Sequence, residues 1–293
     1  MKKPHFFKAK SRIGLITIPH GQKQLNFGVE NGPDAILTPK FLKQFKGSKF
    51  LEFIFPNPEY IDHTKFDKTL ALNIKDFKDL INEHLKEDKT QVVIGGDHSL
   101  TFPSILADLE RISDAKVFRL IHFDSHADMN LYKDSPTKNW HGMYLRPFFD
   151  DFDIPEIAEL VIKKIDPKNC LFIGNLDLDK EETLFFKHKG FNNITQEQIE
   201  NFQDGIMREV KAFVETADYL HISFDIDVFD KTVAPATGIP ANKGLLKEDV
   251  FPLLEIISKH PNFSFDLCEV NPKKEGAEQT IKLAQEILSK VLQ

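Results

Sequence analysis

Short β-branched or aromatic runs alternate with longer stretches of helical periodicity along the chain, and this alternation constrains its fold more than any other feature. Strand-like runs lie at residues 12–18, 51–55, 91–94, 117–123, 170–173, 193–195, 218–224 and 264–270. Between them, residues 33–45, 66–85, 101–111, 155–165, 196–215, 246–260 and 277–292 carry apolar side chains at three- and four-residue spacing, often behind Ser, Thr, Asp or Pro. When each strand is followed by a helix that carries the chain back, neighbouring strands run parallel and both sheet faces become covered. The expectation is an α/β fold with a mostly parallel sheet of eight candidate strands and no linker, one domain over residues 1–293. Ligands of such sheets bind beyond the carboxyl ends of the strands.

The polar residues worth attention sit at those ends. The run Val117–Phe123 leads into Asp124, His126 and Asp128, spaced by two. An extended segment would project all three to one side. Carboxylates and an imidazole so crowded are costly to desolvate unless cations lie between them, which points to a metal site. Gly95 and Gly96 let the backbone turn sharply before His98; alone that histidine reads as structural, but beside the Asp124 cluster it reads as a ligand. Asp225 and Asp227 repeat the pattern after the strand at 218–224. His122 and His221 share their parity but sit deeper, as hydrogen-bonded core residues would.

Four carboxylates (Asp124, Asp128, Asp225, Asp227) and two imidazoles (His98, His126) suit two divalent cations with bridging carboxylates. Oxygen-rich ligation with some nitrogen and no thiolate favours Mn²⁺ over Fe, Co, Ni or Zn. Two ions about 3.5–4 Å apart lower the pKa of a shared water from ~15.7 towards neutrality, so hydrolysis is the expected chemistry.

Other positions admit two readings. Asn130, Thr137 and Asn139 either bind a substrate carboxylate or amine or cap turns, and His141 is suited to proton transfer. Asp179 either contacts ligand or caps the helix behind it, and Glu269 is either a site carboxylate or a solvated one. The loop at residues 19–33 holds three glycines and reads as a lid, an anion loop or a plain connection before a helix started by Pro33.

Composition narrows the partners. Acidic residues outnumber basic ones, 45 to 38, for a net charge of −7 without a basic block, which argues against nucleic acid or an anionic membrane as partner. No secretory h-region or membrane-spanning apolar run is visible, so a cytoplasmic protein is expected. Cys170 and Cys268 lie in apolar runs, as buried free thiols would.

Gly95-Gly96-Asp97-His98-Ser99, Asp124-Ser125-His126-Ala127-Asp128, Ser223-Phe224-Asp225-Ile226-Asp227 and Glu269-Val270-Asn271-Pro272, in that order, resemble the ureohydrolase superfamily of arginases, agmatinases and formimidoylglutamases. The resemblance implies a three-layer α/β/α fold around an eight-stranded sheet, a pair of Mn²⁺ ions, and homotrimers or homohexamers. It implies that Asp124 and Asp225 bridge the ions, with His98 and Asp128 completing one site and His126 and Asp227 the other. It also implies attack of a bridging hydroxide on a guanidinium carbon, leaving-group protonation through Asp128 or His141, and pairing of Glu269 with the guanidinium. The segments around residues 21–33 and 135–143 look most like arginases, which cleave L-arginine to ornithine and urea. On that match Asn130, Thr137 and Asn139 would hold the α-carboxylate and Asp179 the α-amino group. Agmatinase, formimidoylglutamase and an inactive metal-binding homologue are the alternatives. The sequence departs from the usual pattern at Ser125, Lys138 (for Gly), Asn175 (for Arg), Lys231 (for Pro) and Ile239 (for Thr), positions that bear on substrate choice.

Overall fold

A computed structural model describes residues 2–11, 28–55, 63–112, 116–135 and 137–293. In chain order the elements are β1 (Lys3–Lys10), α1 (Gly32–Ile36), α2 (Pro39–Leu42), β2 (Lys49–Ile54), α3 (His63–His84), β3 (Lys89–Gly95), α4 (Thr101–Arg111), β4 (Phe118–Phe123), α5 (Arg146–Phe149), α6 (Pro155–Ala158), β5 (Cys170–Ile173), α7 (Lys180–Lys189), β6 (Asn192–Ile194), α8 (Gln196–Glu215), β7 (Tyr219–Asp225), α9 (Lys247–Ile257), β8 (Phe263–Cys268) and α10 (Ala277–Leu292). The eight strands form one sheet in the order β2-β1-β3-β8-β7-β4-β5-β6, with all pairings parallel.

Two apolar layers sandwich the sheet. One joins Phe7, Val93 and Phe172 to Ile74 and Phe77 of α3 and Ile105 of α4. The other joins Val92, Ile121, Ile222 and Phe265 to Val210 of α8, Leu253 of α9 and Leu283 of α10. Central strands are buried on both faces, which is why they read as continuous apolar runs rather than as alternation. Among the described helices none is long and apolar enough to cross a membrane. Both cysteines are free and buried.

Two expected helices are revised, and one strand is found that the apolar runs do not mark. The first described strand is Lys3–Lys10, whereas the strand expected at 12–18, like most of the loop at 19–33, falls outside the described residues. Lysines disguise that strand: Lys10 projects to one side and is neutralised by Asp34 at 2.6 Å and Glu52 at 2.9 Å, while Phe6, Phe7 and Ala9 are buried. The helix expected at 33–45 is broken because Thr38 is extended ahead of Pro39, whose missing N–H cannot continue the ladder. Pro33 does stand at the start of α1. Of the helix expected at 155–165 only Pro155–Ala158 forms, and the chain beyond it turns so that the Ile165 N–H donates to the Phe148 carbonyl at 2.8 Å.

Candidate active site

The polar motifs leave the sheet from four adjacent strands, β3, β8, β7 and β4. His98 opens a 3-10 turn directly after β3, and a Cβ on Gly96 would lie 1.9 Å from the Ser11 carbonyl, so only glycine fits that approach. Asp124, His126 and Asp128 follow β4; Asp225 ends β7; Glu269 follows β8.

Convergence of the i, i+2 pairs has a different cause from strand alternation. β4 ends at Phe123, and the Asp124 carboxylate accepts the His126 N–H at 2.7 Å. After β7 the Asp225 carboxylate accepts the Asp227 N–H at 2.8 Å, capping a 3-10 turn at Ile226–Val228. Both motifs therefore form a side-chain-closed turn that curls the next donor back over the first. Asp128 and Glu269 adopt φ of 52° and 64°, two of three described non-glycine residues in the left-handed region. Strained backbone of this kind persists where surrounding contacts over-determine it, as at functional sites.

His98 Nδ1 lies 2.9 Å from Asp124 Oδ2, 3.0 Å from Asp128 Oδ2 and 3.3 Å from Asp225 Oδ2. His126 Nδ1 lies 3.2 Å from Asp124 Oδ1 and 3.3 Å from Asp227 Oδ2. The structure thus gathers His98, Asp124, His126, Asp128, Asp225 and Asp227 around one spot. Candidate ligand atoms within 4.8 Å of one another form the groups His98–His122–Asp124–Asp128 and Asp124–His126–Asp227, which share Asp124. His98 Nδ1, His122 Nε2 and Asp124 Oδ2 are buried without a properly oriented hydrogen bond, although they crowd at contact distance. Buried donor and acceptor atoms aimed at a common point and unsatisfied by protein are what a cation would satisfy. The residues fit a metal.

Electrostatics agree with that fit. Burial, joined by the charge of Asp124, pushes the Asp128 carboxyl up to about 8. Burial and then the charges of Asp227 and Asp124 raise Asp225 well above the carboxylate range. Glu269 is raised likewise, by burial and then by Asp225, Asp97 and Asp227. Cations between these groups would reverse the like-charge contribution.

A cavity of about 230 Å³ opens beside the cluster, lined by His126, Asp128, Asn130, Thr137, His141 and Asp179 among others. Asn130 Nδ2 donates to Asp179 Oδ2 at 3.1 Å, and Asn130 Oδ1 is buried without a partner. Asp179 does stand at the start of α7, so it serves the helix and faces the cavity together. Asn139 does not line the cavity; it precedes the 3-10 turn Trp140–Gly142, its Oδ1 buried and unpartnered. Burial, opposed by Asp97 and reinforced by His126 and His98, holds the His141 imidazole below its ordinary pKa. Glu269 Oε1 accepts the His98 N–H at 3.0 Å, leaving Oε2 buried and unpartnered. Ile239, 42 % exposed, stands between this cavity and a wider cleft of about 930 Å³, whose wall Asn175 braces by donating to the Lys243 carbonyl at 2.7 Å.

The model of the Arginase family matches residues 11–293. The chain belongs to the arginase family. Over 297 residues it is 30 % identical to an arginase of Staphylococcus aureus, covering 94 % of this chain and 96 % of that one. An arginase of Emericella nidulans is 28 % identical over 304 residues, covering 96 % and 93 %. In three dimensions it is similar to the crystal structure of Entamoeba histolytica arginase in complex with L-ornithine, with a TM-score of 0.85 at 24 % identity, covering 99 % and 98 %. This arginase-family chain is therefore an enzyme of hydrolase lineage, with the three-layer α/β/α fold of that family.

Several site residues of this family member escape a reading by motif. Tyr144 is buried with its hydroxyl 3.0 Å from His98 Nε2, 3.3 Å from His122 Nδ1 and 3.1 Å from Ser223 Oγ, and no spacing announces it. Glu182 lines the cavity and accepts the N–H groups of Met129 at 3.0 Å and Asp179 at 3.1 Å. Its signal was present: Asp179 and Glu182 stand three apart, as in a capping box. His221 is a core residue, held between Asp108 at 2.7 Å and Asp266 at 3.1 Å.

Proposed function

We propose that the chain, as one domain, hydrolyses the guanidinium group of L-arginine to ornithine and urea at a centre of two divalent cations, Mn²⁺ by the hardness of the donors. The observation that carries the substrate is the cavity wall. Asn130, Thr137 and Asp179 offer neutral donors and one carboxylate next to the acidic cluster, as an α-amino acid terminus requires and agmatine does not.

In this reading His98, Asp124, His126, Asp128, Asp225 and Asp227 would hold the cations, Asp124 and Asp225 being the carboxylates the two would share. Bound there, the cations supply Lewis acidity that lowers the pKa of water to near neutrality. The chain's own groups do the rest. Glu269 pairs with the planar guanidinium through its unpartnered oxygen, a charge-assisted contact that fixes the orientation of the scissile carbon. Asn130 and Thr137 hold the α-carboxylate and Asp179 the α-amino group, while Asn139, set outside the cavity wall, is left out of the contact. His141, kept neutral by its surroundings, carries a proton between solvent and the leaving amine, and Asp128 shares that task. We take the working form to be a cytoplasmic homotrimer or homohexamer.

Incubating Mn²⁺-loaded protein with L-arginine, agmatine and formimidoylglutamate, and measuring urea and formamide, tests the reading. Urea from arginine well above that from agmatine supports it. Brisk release from either rival substrate with none from arginine overturns it.

A further inference from the structure

Cys268 is the last residue of β8 and fully buried. It stands opposite Asp225 in the β7–β8 register, and its Sγ lies 3.9 Å from Asp225 Oδ2. Cys268, His98 and Asp225 form a third group of candidate ligand atoms, all within 4.8 Å of one another. His98 Nδ1, 3.3 Å from Asp225 Oδ2, is buried without a properly oriented hydrogen bond. Two donors on one tetrahedral zinc, at bond lengths of about 2.3 Å to sulfur and 2.0 Å to oxygen, stand roughly 3.5 Å apart. The observed 3.9 Å exceeds that by about 0.4 Å, within reach of a small side-chain adjustment. Cys170, equally buried, belongs to no such group among the described residues and is an internal control.

A carboxylate–imidazole set suits hard cations, whereas a thiolate selects zinc and other soft ones. The sequence pattern counted no sulfur at the centre, yet sheet register delivers one. We propose that Cys268 is a sulfur ligand position through which this centre takes up thiophilic divalent cations such as Zn²⁺ and Cd²⁺, in competition with the ions it holds through oxygen and nitrogen. The inference rests on the reading of the cluster as a metal centre. On uptake the sulfur–metal bond forms as the S–H bond breaks, the proton passing to solvent. His98 and Asp225 serve both kinds of ion, so a cation drawn to β8 excludes the catalytic arrangement.

The test uses the full chain in three forms, wild type, Cys268→Ser and Cys170→Ser, each titrated with Co²⁺. All three are expected to show visible ligand-field absorption, the sign of a bound ion. The near-ultraviolet thiolate-to-cobalt band is expected in wild type and Cys170→Ser and absent from Cys268→Ser. Cd²⁺ affinity should fall in Cys268→Ser by at least the about 10-fold that loss of even an outer partner of a ligand costs. Ligand-field absorption without the thiolate band in wild type, or a thiolate band that survives Cys268→Ser, overturns the assignment and leaves the centre standing. Absence of both bands from all three proteins overturns the metal centre itself. Should Cys268→Ser fail to fold, Cys170→Ser still decides, because Cys268 is then the only sulfhydryl in the chain.

Discussion

Gly174→Ala should damage the site from a residue that touches no substrate. Gly174 follows β5 with φ of 154°, and a Cβ placed there lies 1.9 Å from the Asp124 carbonyl oxygen, where real Cβ contacts are not under 3.0 Å. One of the two backbones must yield by about 1 Å. Asp124 is tied on that side, its N–H donating to the Ile173 carbonyl at 3.2 Å, so the strain reaches the shared carboxylate of the cluster. Overpacking costs about 1–3 kcal/mol and the backbone conformation roughly another 1–3. The stiffer unfolded chain returns up to ~1 kcal/mol, so the net loss is about 1–6 kcal/mol. A domain of ordinary stability survives that loss, while an active-site shift of about 1 Å costs on the order of 100-fold in rate. Guanidinium melts and arginine turnover of Mn²⁺-loaded protein measure the two effects. Gly190→Ala is the control: its φ is 69°, but nothing lies within 4 Å, so it should cost about 1 kcal/mol and leave turnover unchanged. A Gly174→Ala enzyme of wild-type stability and rate, or equal damage from Gly190→Ala, would refute the argument.

Lys138, with φ of 59°, donates through Nζ to the carbonyls of Tyr132 at 2.6 Å and Lys133 at 2.9 Å. Lys138→Ala keeps the strain and loses both bonds, for about 1–2 kcal/mol; Lys138→Gly releases about 1 kcal/mol of it, and equal melting temperatures for the two would contradict this. Burial opposes the charge on His221, but Asp266 and Asp108 outweigh it and raise the pKa to about 9 from 6.5. The resulting stability, about 3 kcal/mol, is fully present below pH 6.5 and lost as pH rises through 9. Urea midpoints from pH 6 to about 10 should fall in wild type and stay flatter in His221→Gln, itself less stable because two buried carboxylates lose their partner. Asp124→Asn removes the carboxylate common to two of the three ligand groups, so bound metal per chain should drop below half of wild type by elemental analysis; undiminished binding would count against a shared ligand.

Local information carried much of this molecule. Seven of the eight strands lie within a few residues of where apolar runs put them, because a strand buried on both faces must be apolar throughout. The helices Thr101–Arg111, Gln196–Glu215 and Ala277–Leu292 coincide with their periodic segments. The candidate ligands were legible because Asp and His crowded at strand ends cannot be core and serve poorly as surface. Other features needed the tertiary fold. Strand order is one: Val92, Phe265, Ile222 and Ile121 become lateral neighbours although pairing, not sequence, joins them. Tyr144 beneath His98, Cys268 opposite Asp225 and the lysine-bearing first strand depend on that order. Periodicity tells a segment which face to bury; only packing tells it against what, since contacts between distant residues leave no trace in the local pattern.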